Sequence, residues 1–345
     1  MPHRSALRPL PAYGLSRRSI IAGAAAVASC GVLRGSSAQA AEEQNDTVRI
    51  TLPTPGSAGS VWRPAIAKLG SHATEGLNID WIGGDPGQMQ VQLAAGALDV
   101  GVFGAVGLAN LVNRGSDIVL FGPALNNHGR WIVRADSPYR KPADLIGKRI
   151  ATQPETTETY QQARIAASLN DIDLKRDVEV IFGPPTQNLA LFGRGDVEGV
   201  IVLEPTATRL VGGGAREIAR VGDMWRDATG ESGDPFLVGL AARRSWLETN
   251  RKLATRIAHL FAIANGSLRR DPQLFSEFHS DIGLRDDEKS AIALLPNRLT
   301  DVYPSRWDES VWKIIERQID VALKIGVIGQ RPSRPLYDAI RLENV

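Results

Sequence analysis

Short apolar segments alternate with segments of helical spacing through most of this 345-residue chain. TVRITLP and LNIDWIG have the β-branched content and alternation of strands, and residues 61–73 between them have helical spacing. The pattern continues with a helix in GQMQVQLAAGAL, a strand in DVGVFG, a helix in AVGLANLVNRG and a strand in DIVLFGPAL. This alternation predicts a parallel sheet with helices on both faces.

The same pattern then starts a second time. KRIAT, VEVIFG, VEGVIVL and REIARV are predicted strands, and the helices between them are predicted at 155–169, in NLALFGRG and at 205–211. Two series of similar size predict two lobes, with GRWIVRADSP and DPFLVGLAARR crossing between them. We expect an α/β fold with residues 46–128 and 236–345 in lobe 1 and residues 129–235 in lobe 2.

Helical spacing replaces the strand patterns from Leu247 onward. One apolar helical face is formed by Leu253, Ile257, Leu260, Phe261 and Ala264. Ser305 and Asp308 form a capping signal before another helix, which Gly326 is placed to end. Because apolar faces need a surface to cover, we expect this tail to pack on the first lobe.

The first 40 residues have the composition of an export signal. Arg17-Arg18 precede a short run rich in alanine and glycine, and Ala38-Gln39-Ala40 fits a signal-peptidase site. The paired arginines are typical of a twin-arginine signal, and the run is too short for a permanent membrane span. We expect a periplasmic protein cleaved after Ala40. The alternative is a lipoprotein box at Val27-Ala28-Ser29-Cys30, which would leave an acylated Cys30.

The basic charge of the chain belongs to this segment. It holds five of the 40 basic residues and no acid, so 35 basic and 38 acidic side chains remain, a net charge near −3 that gives no reason to expect nucleic acid as a partner. Cys30 is the only cysteine, which excludes an intramolecular disulfide and a thiolate metal site. No familiar catalytic or metal-binding motif occurs. We expect a monomer that is not an enzyme and has no cofactor and no metal.

Four longer segments carry a family resemblance: GLNIDWIGG, QVQLAAGALDVGVFGAVGLANLVNRGSDIVLFG, WIVRADSPYRKPADLIGKRIATQPETTETY and LALFGRGDVEGVIVLEPTATRL. In this order they resemble the solute-binding proteins of nitrate, sulfonate and taurine ABC importers, a group that includes binders of thiamine precursors. The resemblance covers roughly residues 48–245. It implies a two-lobed periplasmic binding protein type II fold (Venus flytrap), with a ligand in the cleft and with a permease and an ATPase as partners.

Loops that lead from strands into helices are the candidate ligand site, because helix N-termini offer free amides that favour anions. In the first lobe we expect residues 53–60 to offer glycine and hydroxyl groups, Trp62 to stack on a ligand, and residues 103–107 to allow close approach. The candidates are Thr54, Gly56, Ser57, Ser60, Trp62, Gly104 and Ala105. The structural alternatives are a capping loop and tight packing.

In the second lobe, TQPETTETY offers the hydroxyls and amides of Thr156 and Thr157. The family usually has small hydroxyl residues or glycine at this turn, whereas this chain has Glu155 and Glu158. The two glutamates weaken a simple anion interpretation, although acidic residues in a first turn also stabilise a helix through its dipole.

Two further candidates have equally good structural explanations. Glu204 follows a predicted strand, where the family commonly has an acidic residue before proline, and it could face the ligand or cap a helix. Asn126 lies near the first crossing and could reach a ligand or form part of a hinge turn. No lysine or arginine occurs in the four candidate loops, which are residues 53–60, residues 103–107, TQPETTETY and VLEPTA.

The predicted function is capture of a small solute, a sulfonate, taurine or nitrate-like anion, and its delivery to a permease. The alternative ligand is a thiamine-precursor pyrimidine or another heteroaromatic compound, which Trp62 and Glu204 would suit. A second alternative is an enzyme of the thiamine-pyrimidine synthase type, since these enzymes share the fold. They carry a cysteine-rich stretch, which this chain lacks.

Overall fold

A computed structural model describes residues 46–74, 76–84, 86–233 and 235–342 of the chain. They belong to one compact unit, residues 43–345. The predicted signal peptide, with Arg17-Arg18 and Cys30, lies outside the described residues. Within the described ranges, no helix has both the length and the apolar character that crossing a bilayer requires.

Strands and helices alternate largely in the order that the sequence predicts, and the two crossing segments GRWIVRADSP and DPFLVGLAARR also form strands. The strands are β1 Asp46–Leu52, β2 Leu77–Gly83, β3 Gly101–Phe103, β4 Ile118–Asn126, β5 Gly129–Val133, β6 Arg149–Thr152, β7 Glu179–Phe182, β8 Gly199–Leu203, β9 Arg216–Arg220 and β10 Phe236–Arg243. The helices are α1 Trp62–Leu69, α2 Pro86–Ala95, α3 Ala105–Asn113, α4 Glu158–Ser168, α5 Pro185–Arg194, α6 Thr206–Gly212, α7 Val221–Thr229, α8 Arg244–Thr249, α9 Arg251–Arg270, α10 Gln273–Glu277, α11 Lys289–Leu299 and α12 Glu309–Lys324. Short 3-10 turns occur at Ala58–Val61, Pro142–Leu145 and Thr300–Val302.

The strands form two sets with the same order. In the first lobe, β1 pairs in parallel with β2, a parallel bridge joins Ile50 to Val100 just before β3, and β10 lies between β3 and β4. In the second lobe, the order is β7-β6-β8-β5-β9. The crossing strands β5 and β10 run antiparallel to both of their neighbours. Both lobes are therefore mixed sheets and not the purely parallel sheets expected, because each crossing strand enters from the other lobe. The residue boundaries of the lobes stay a prediction.

The second sheet is covered on both faces, as the alternation of its strands requires. Trp131 and Ile132 are neighbours on β5 and point to opposite faces. Trp131 packs in a core with Ile150 and Tyr160, and Ile132 packs in another core with Phe192.

The helical tail contacts both lobes. Helix α9 packs on α1 and β4, and α12 packs on α3, as expected for a cover of the first lobe. Helix α11, however, packs on α6 of the second lobe. Gly212 permits this contact, since a Cβ atom there would lie 2.7 Å from the Cα atom of Ala291. The tail therefore packs on the first lobe as expected and contacts the second lobe in addition.

Two local features differ from the sequence expectations. Helix α7 was not predicted; it follows directly on β9 and ends at Gly230, which adopts a left-handed conformation. Helix α12 begins one turn later than the capping signal suggested. Its N-cap is Asp308, whose carboxylate accepts a hydrogen bond from the Ser310 backbone N–H at 3.0 Å, and not Ser305.

Candidate ligand-binding cleft

The first turns of α3 and α4 meet between the two lobes. Glu158, the first residue of α4, accepts hydrogen bonds from the backbone N–H groups of Val106 at 3.3 Å and Gly107 at 2.9 Å. These amides lie in the first turn of α3, where a helix has no internal acceptors for them. The structure thus brings together two of the four candidate loops, residues 103–107 and TQPETTETY, and the Glu158 side chain connects them.

Gly104 makes this contact possible. A Cβ atom on Gly104 would overlap the Glu158 carboxyl group, so a residue with a side chain at this position would exclude the carboxylate. Gly107 is close as well, since its Cβ would lie 3.4 Å from Oε2 of Glu158. The small residues expected to admit a ligand therefore admit a side chain of the protein itself.

Two glutamine side chains, Gln162 and Gln318, form a hydrogen-bonded chain that ends on Glu158. The Gln162 Nε2 group donates to Glu158 Oε1 at 2.7 Å, and Gln318 on α12 donates to Gln162 at 3.0 Å and to the Phe236 carbonyl at 2.8 Å. Burial raises the pKa of the Glu158 carboxyl above its ordinary value, although its three hydrogen bonds act in the opposite direction. The carboxyl group is thus held directly by α3 and by Gln162. Gln318 of α12, which also donates to a carbonyl of β10, holds Gln162 in turn.

The two threonines of the second-lobe loop differ in their surroundings. The Thr157 hydroxyl donates to the Pro154 carbonyl at 2.7 Å and accepts from the Tyr160 backbone N–H, which makes Thr157 the N-cap of α4. Thr156 is exposed. Thr157 therefore caps α4. Its predicted contact with the ligand would have to use a hydroxyl group that is already hydrogen-bonded.

The hydroxyl groups of the first loop are engaged locally. Ser57 donates to the Thr54 carbonyl at 2.8 Å and Ser60 donates to the Ser57 carbonyl at 2.7 Å. Gly56 has a φ of +89° and allows a close approach of Gly283, whose Cβ would lie 2.9 Å from the Gly56 Cα. These contacts fit the capping-loop alternative, whereas the side chain of Thr54 is exposed.

Trp62 is a core residue, so the expectation that it stacks on a ligand is wrong. Its side chain is 1% exposed and its indole N–H donates to Asn265 Oδ1 at 3.0 Å. The Phe261 ring packs edge-on against it at a centroid distance of 5.2 Å. The indole turns toward α9 because the long apolar tail helix covers α1, which the local sequence does not reveal.

Glu204 caps α6 and is buried in an ionic cluster. Its Oε2 atom accepts hydrogen bonds from the Thr208 backbone N–H at 2.9 Å and the Thr208 hydroxyl at 2.6 Å. Its Oε1 atom accepts from Arg298 on α11 at 2.8 Å and lies 3.3 Å from Nε of Arg130. Of the two roles left open for Glu204, the structure shows helix capping.

Three guanidinium groups and two carboxylates form this cluster, which leaves one positive charge in excess. Glu217 accepts from Arg298 at 2.5 Å and from Arg220 at 2.8 Å, and Arg130 lies 3.5 Å away. Burial alone would raise the pKa of Glu217, but the hydrogen bond from Arg220 and the charges of Arg130 and Arg298 hold it below its ordinary value. Burial lowers the pKa of Arg130.

Sequence reasoning missed these arginines because it searched only the four loops. Arg130 lies in the crossing segment GRWIVRADSP, and the charge of this residue within an apolar strand was the available signal. Arg298 is 94 positions from Glu204, and no local pattern connects them.

Asn126 belongs to the turn between β4 and β5. Its side-chain amide donates to the Asp301 carbonyl at 3.0 Å, and its own carbonyl lies 2.7 Å from Nδ1 of His128. These contacts fit the hinge-turn alternative. Among the residues that the structure describes, no group of three or more His, Cys, Asp or Glu side chains could hold a metal ion.

Known proteins resemble the chain in sequence and in fold. Residues 70–273 match the NMT1-like family. The chain is 32% identical over 139 residues to the taurine-binding periplasmic protein of Escherichia coli (strain K12), which covers 39% of this chain and 42% of that protein. It is 30% identical over 184 residues to the ATP phosphoribosyltransferase of Nitratidesulfovibrio vulgaris (strain Hildenborough), which covers 51% of this chain and 54% of that protein. The chain thus spans about half or less of the length of these relatives.

The fold is similar to that of the periplasmic aliphatic sulphonate binding protein SsuA from Escherichia coli. The TM-score is 0.67 and the sequence identity is 19%, over 87% of this chain and 94% of that chain. This similarity confirms the expected α/β fold of a periplasmic binding protein, with two lobes and a helical C-terminal tail.

Proposed function

Because the chain belongs to the NMT1-like family, we propose that it is the solute-binding component of an ABC importer for a small sulfonate, taurine or nitrate-like anion. In this proposal the solute is held between the two lobes, which close around it by a hinge motion at the crossing segments. The closed protein then delivers the solute to a permease that an ATPase drives. Export through the predicted signal peptide would place these events in the periplasm.

One observation carries the proposed ligand class. The backbone amides of Val106 and Gly107 at the start of α3 already donate to both oxygens of a carboxyl group, that of Glu158, where the two lobes meet. Free amides at a helix N-terminus, together with the helix dipole, favour negative charge. A solute sulfonate has the charge and the acceptor oxygens to take the same place. The relatives named for taurine and aliphatic sulphonate support this class.

The two alternatives have less support. A heteroaromatic ligand was suggested by Trp62, whose ring is covered by Phe261 and α9. An enzymatic role is suggested by the ATP phosphoribosyltransferase relative, of which the match covers 54%. A binding protein should show no turnover when isolated, so multiple turnovers of any candidate solute would establish an enzyme.

Among the predicted contact residues, Thr54 and Thr156 are proposed to supply hydroxyl groups to the solute. Both are exposed and both belong to loops that connect a strand to a helix, one in each lobe. The proposed binding position of the solute anion is at the backbone amides of Val106 and Gly107.

Thermal unfolding with taurine, ethanesulfonate, nitrate and an aminopyrimidine tests the ligand class. A solute at about 100 times its Kd should stabilise the protein by about 2.7 kcal/mol. We expect stabilisation by at least one sulfonate and none by the aminopyrimidine. Stabilisation by the aminopyrimidine alone would contradict the proposal.

Thr156→Ala tests the cleft assignment with the solute identified in this way. Loss of one hydrogen bond to a buried ligand should weaken binding by about fivefold to a hundredfold, because such a bond contributes about 1 to 3 kcal/mol. Thr249→Ala is the matched control, since Thr249 is an exposed threonine on α8, outside the candidate loops. Calorimetric titration should separate the two variants. Equal affinities would show that Thr156 does not contact the solute.

A further inference from the structure

We propose that the Glu158 side chain is an internal occupant of the anion seat, defined as the backbone amides of Val106 and Gly107. In this proposal the carboxylate holds the two lobes together when no solute is bound, and a solute anion must displace it. The displacement step rests on the proposed function, whereas the contact between the lobes does not.

The fit of the carboxylate to the seat is the first argument. One oxygen of Glu158 accepts from Gly107 at 2.9 Å, and the other accepts from Val106 at 3.3 Å and from Gln162 at 2.7 Å. Gly104 lies against the carboxyl group, and any Cβ there would overlap it. The anion seat therefore belongs to the first lobe, and the carboxylate that fills it comes from the second lobe.

Glu155 shows that a glutamate in this loop need not cross the cleft. It lies three residues before Glu158, is exposed, and forms an ion pair with Lys175 of its own lobe. Glu158 instead joins α4 to α3, so separation of the lobes must break its two bonds to backbone amides. Those amides would then have no acceptor within α3. Glu158 thus favours the closed arrangement without a solute.

An internal occupant lowers the apparent affinity for a competing anion. The apparent Kd equals the intrinsic Kd divided by the fraction of molecules in which the seat is free. If the carboxylate fills the seat in about nine molecules of ten, its removal should tighten binding about tenfold. The solute must therefore bring an anionic group that outcompetes a tethered carboxyl group.

Amide hydrogen exchange followed by NMR tests the contact without any solute. In Glu158→Ala the amides of Val106 and Gly107 should exchange at least about tenfold faster than in the wild type, because they lose their acceptor. Glu155→Ala should exchange at the wild-type rate. Gly104→Ala, which keeps Glu158 but excludes it from the seat, should resemble Glu158→Ala. Wild-type exchange rates at both amides in Glu158→Ala and Gly104→Ala would overturn the proposal.

Titration with taurine and ethanesulfonate tests the displacement. The Kd of the bound sulfonate should be about tenfold lower in Glu158→Ala than in the wild type, and unchanged in Glu155→Ala. An equal or higher Kd in Glu158→Ala would show that the carboxylate is not a competitor and would overturn the displacement step. If no variant binds either sulfonate, the proposed ligand class fails, and the exchange rates still decide whether Glu158 occupies the seat.

Discussion

His128 is a buried, neutral histidine at the turn between the two lobes. Burial lowers its pKa to about 4; the hydrogen bond with the Asn126 carbonyl opposes this shift, and the nearby charge of Arg130 adds to it. A proton on this ring would be a buried charge beside a guanidinium group, which the native state resists.

The free energy of unfolding should therefore fall in mild acid. The folded-state pKa of about 4 lies below the ordinary value of 6.5, so the unfolded chain takes up this proton first. The stabilisation that comes from keeping His128 neutral is fully present above pH 6.5. It is lost as the pH falls toward 4, which lowers the free energy of unfolding by up to about 3 kcal/mol. Urea unfolding of His128→Gln between these pH values should show a smaller loss than the wild type. His72→Gln, at an exposed position, is the control and should follow the wild type. Equal losses in wild type and His128→Gln would contradict this assignment.

Arg298 is the residue that joins the tail to the buried ionic cluster. It donates to Glu204, Glu217 and the Thr208 hydroxyl, and its side chain is 11% exposed. Removal of Arg298 would deprive the largely buried carboxylates of Glu204 and Glu217 of one hydrogen-bond donor each, which is strongly destabilising although the four charges that remain would balance.

Arg298→Met should lower the free energy of unfolding by about 3 kcal/mol or more. The matched control is Arg285→Met in the same tail, since Arg285 and its partner Asp287 are 72% and 75% exposed. Its effect should be within about 1 kcal/mol, as for other surface ion pairs. Urea unfolding at neutral pH measures both. Similar effects of the two substitutions would mean that the cluster does not stabilise the fold.

At the scale of elements, the start of α12 distinguishes two possible caps. Asp308 accepts from the Ser310 backbone N–H, whereas the sequence pattern suggested Ser305 as the cap. Asp308→Ala should lower the free energy of unfolding by about 1 kcal/mol, because a free N–H of the first turn loses its acceptor. Ser305→Ala should change it by less than about 0.5 kcal/mol. Urea unfolding of both variants decides between them, and the reverse order of effects would restore Ser305 as the cap.

Strand β5 contributes both to the core and to the connection between the lobes. Trp131 and Ile132 are buried on its two faces, while Arg130 at its start reaches the ionic cluster. Because β5 is the crossing strand of the second lobe, the charged cluster lies next to the connection between the lobes. The tail reaches the same region through the contact of α11 with α6, where Arg209 and Glu288 form an ion pair at 2.7 Å.

At the scale of the whole molecule, export is the prediction that the fold does not address. The twin-arginine interpretation of Arg17-Arg18 predicts that replacement of both by lysine keeps the precursor in the cytoplasm. Arg34→Lys, in the same segment but after the apolar run, should leave export unchanged. Cell fractionation measures both. Normal amounts of the double-lysine variant in the periplasm would contradict the interpretation. The mass of the exported wild-type protein separates a start at Ala41 from an acylated Cys30.

The sequence by itself determined the order of most strands and helices and the division into two series, but not helix α7 or the strand character of the two crossing segments. β-Branched alternation and helical spacing are local properties of neighbouring residues, so KRIAT and VEVIFG could be assigned to strands without knowledge of their partners. The two crossing segments were predicted from the point at which the alternation of strands and helices starts a second time. The loops at the ends of strands followed as well, because the connection of strand to helix places free amides there.

Only the tertiary structure decided what those loops contact. Trp62 is covered by a helix about 200 residues later, Glu158 binds amides in the other lobe, and Glu204 meets an arginine from the tail. The sequence showed each of these residues beside a candidate site but not its partner. The surroundings of a side chain depend on which distant segments pack against it, and that packing is set by burial over the whole fold and not by local spacing.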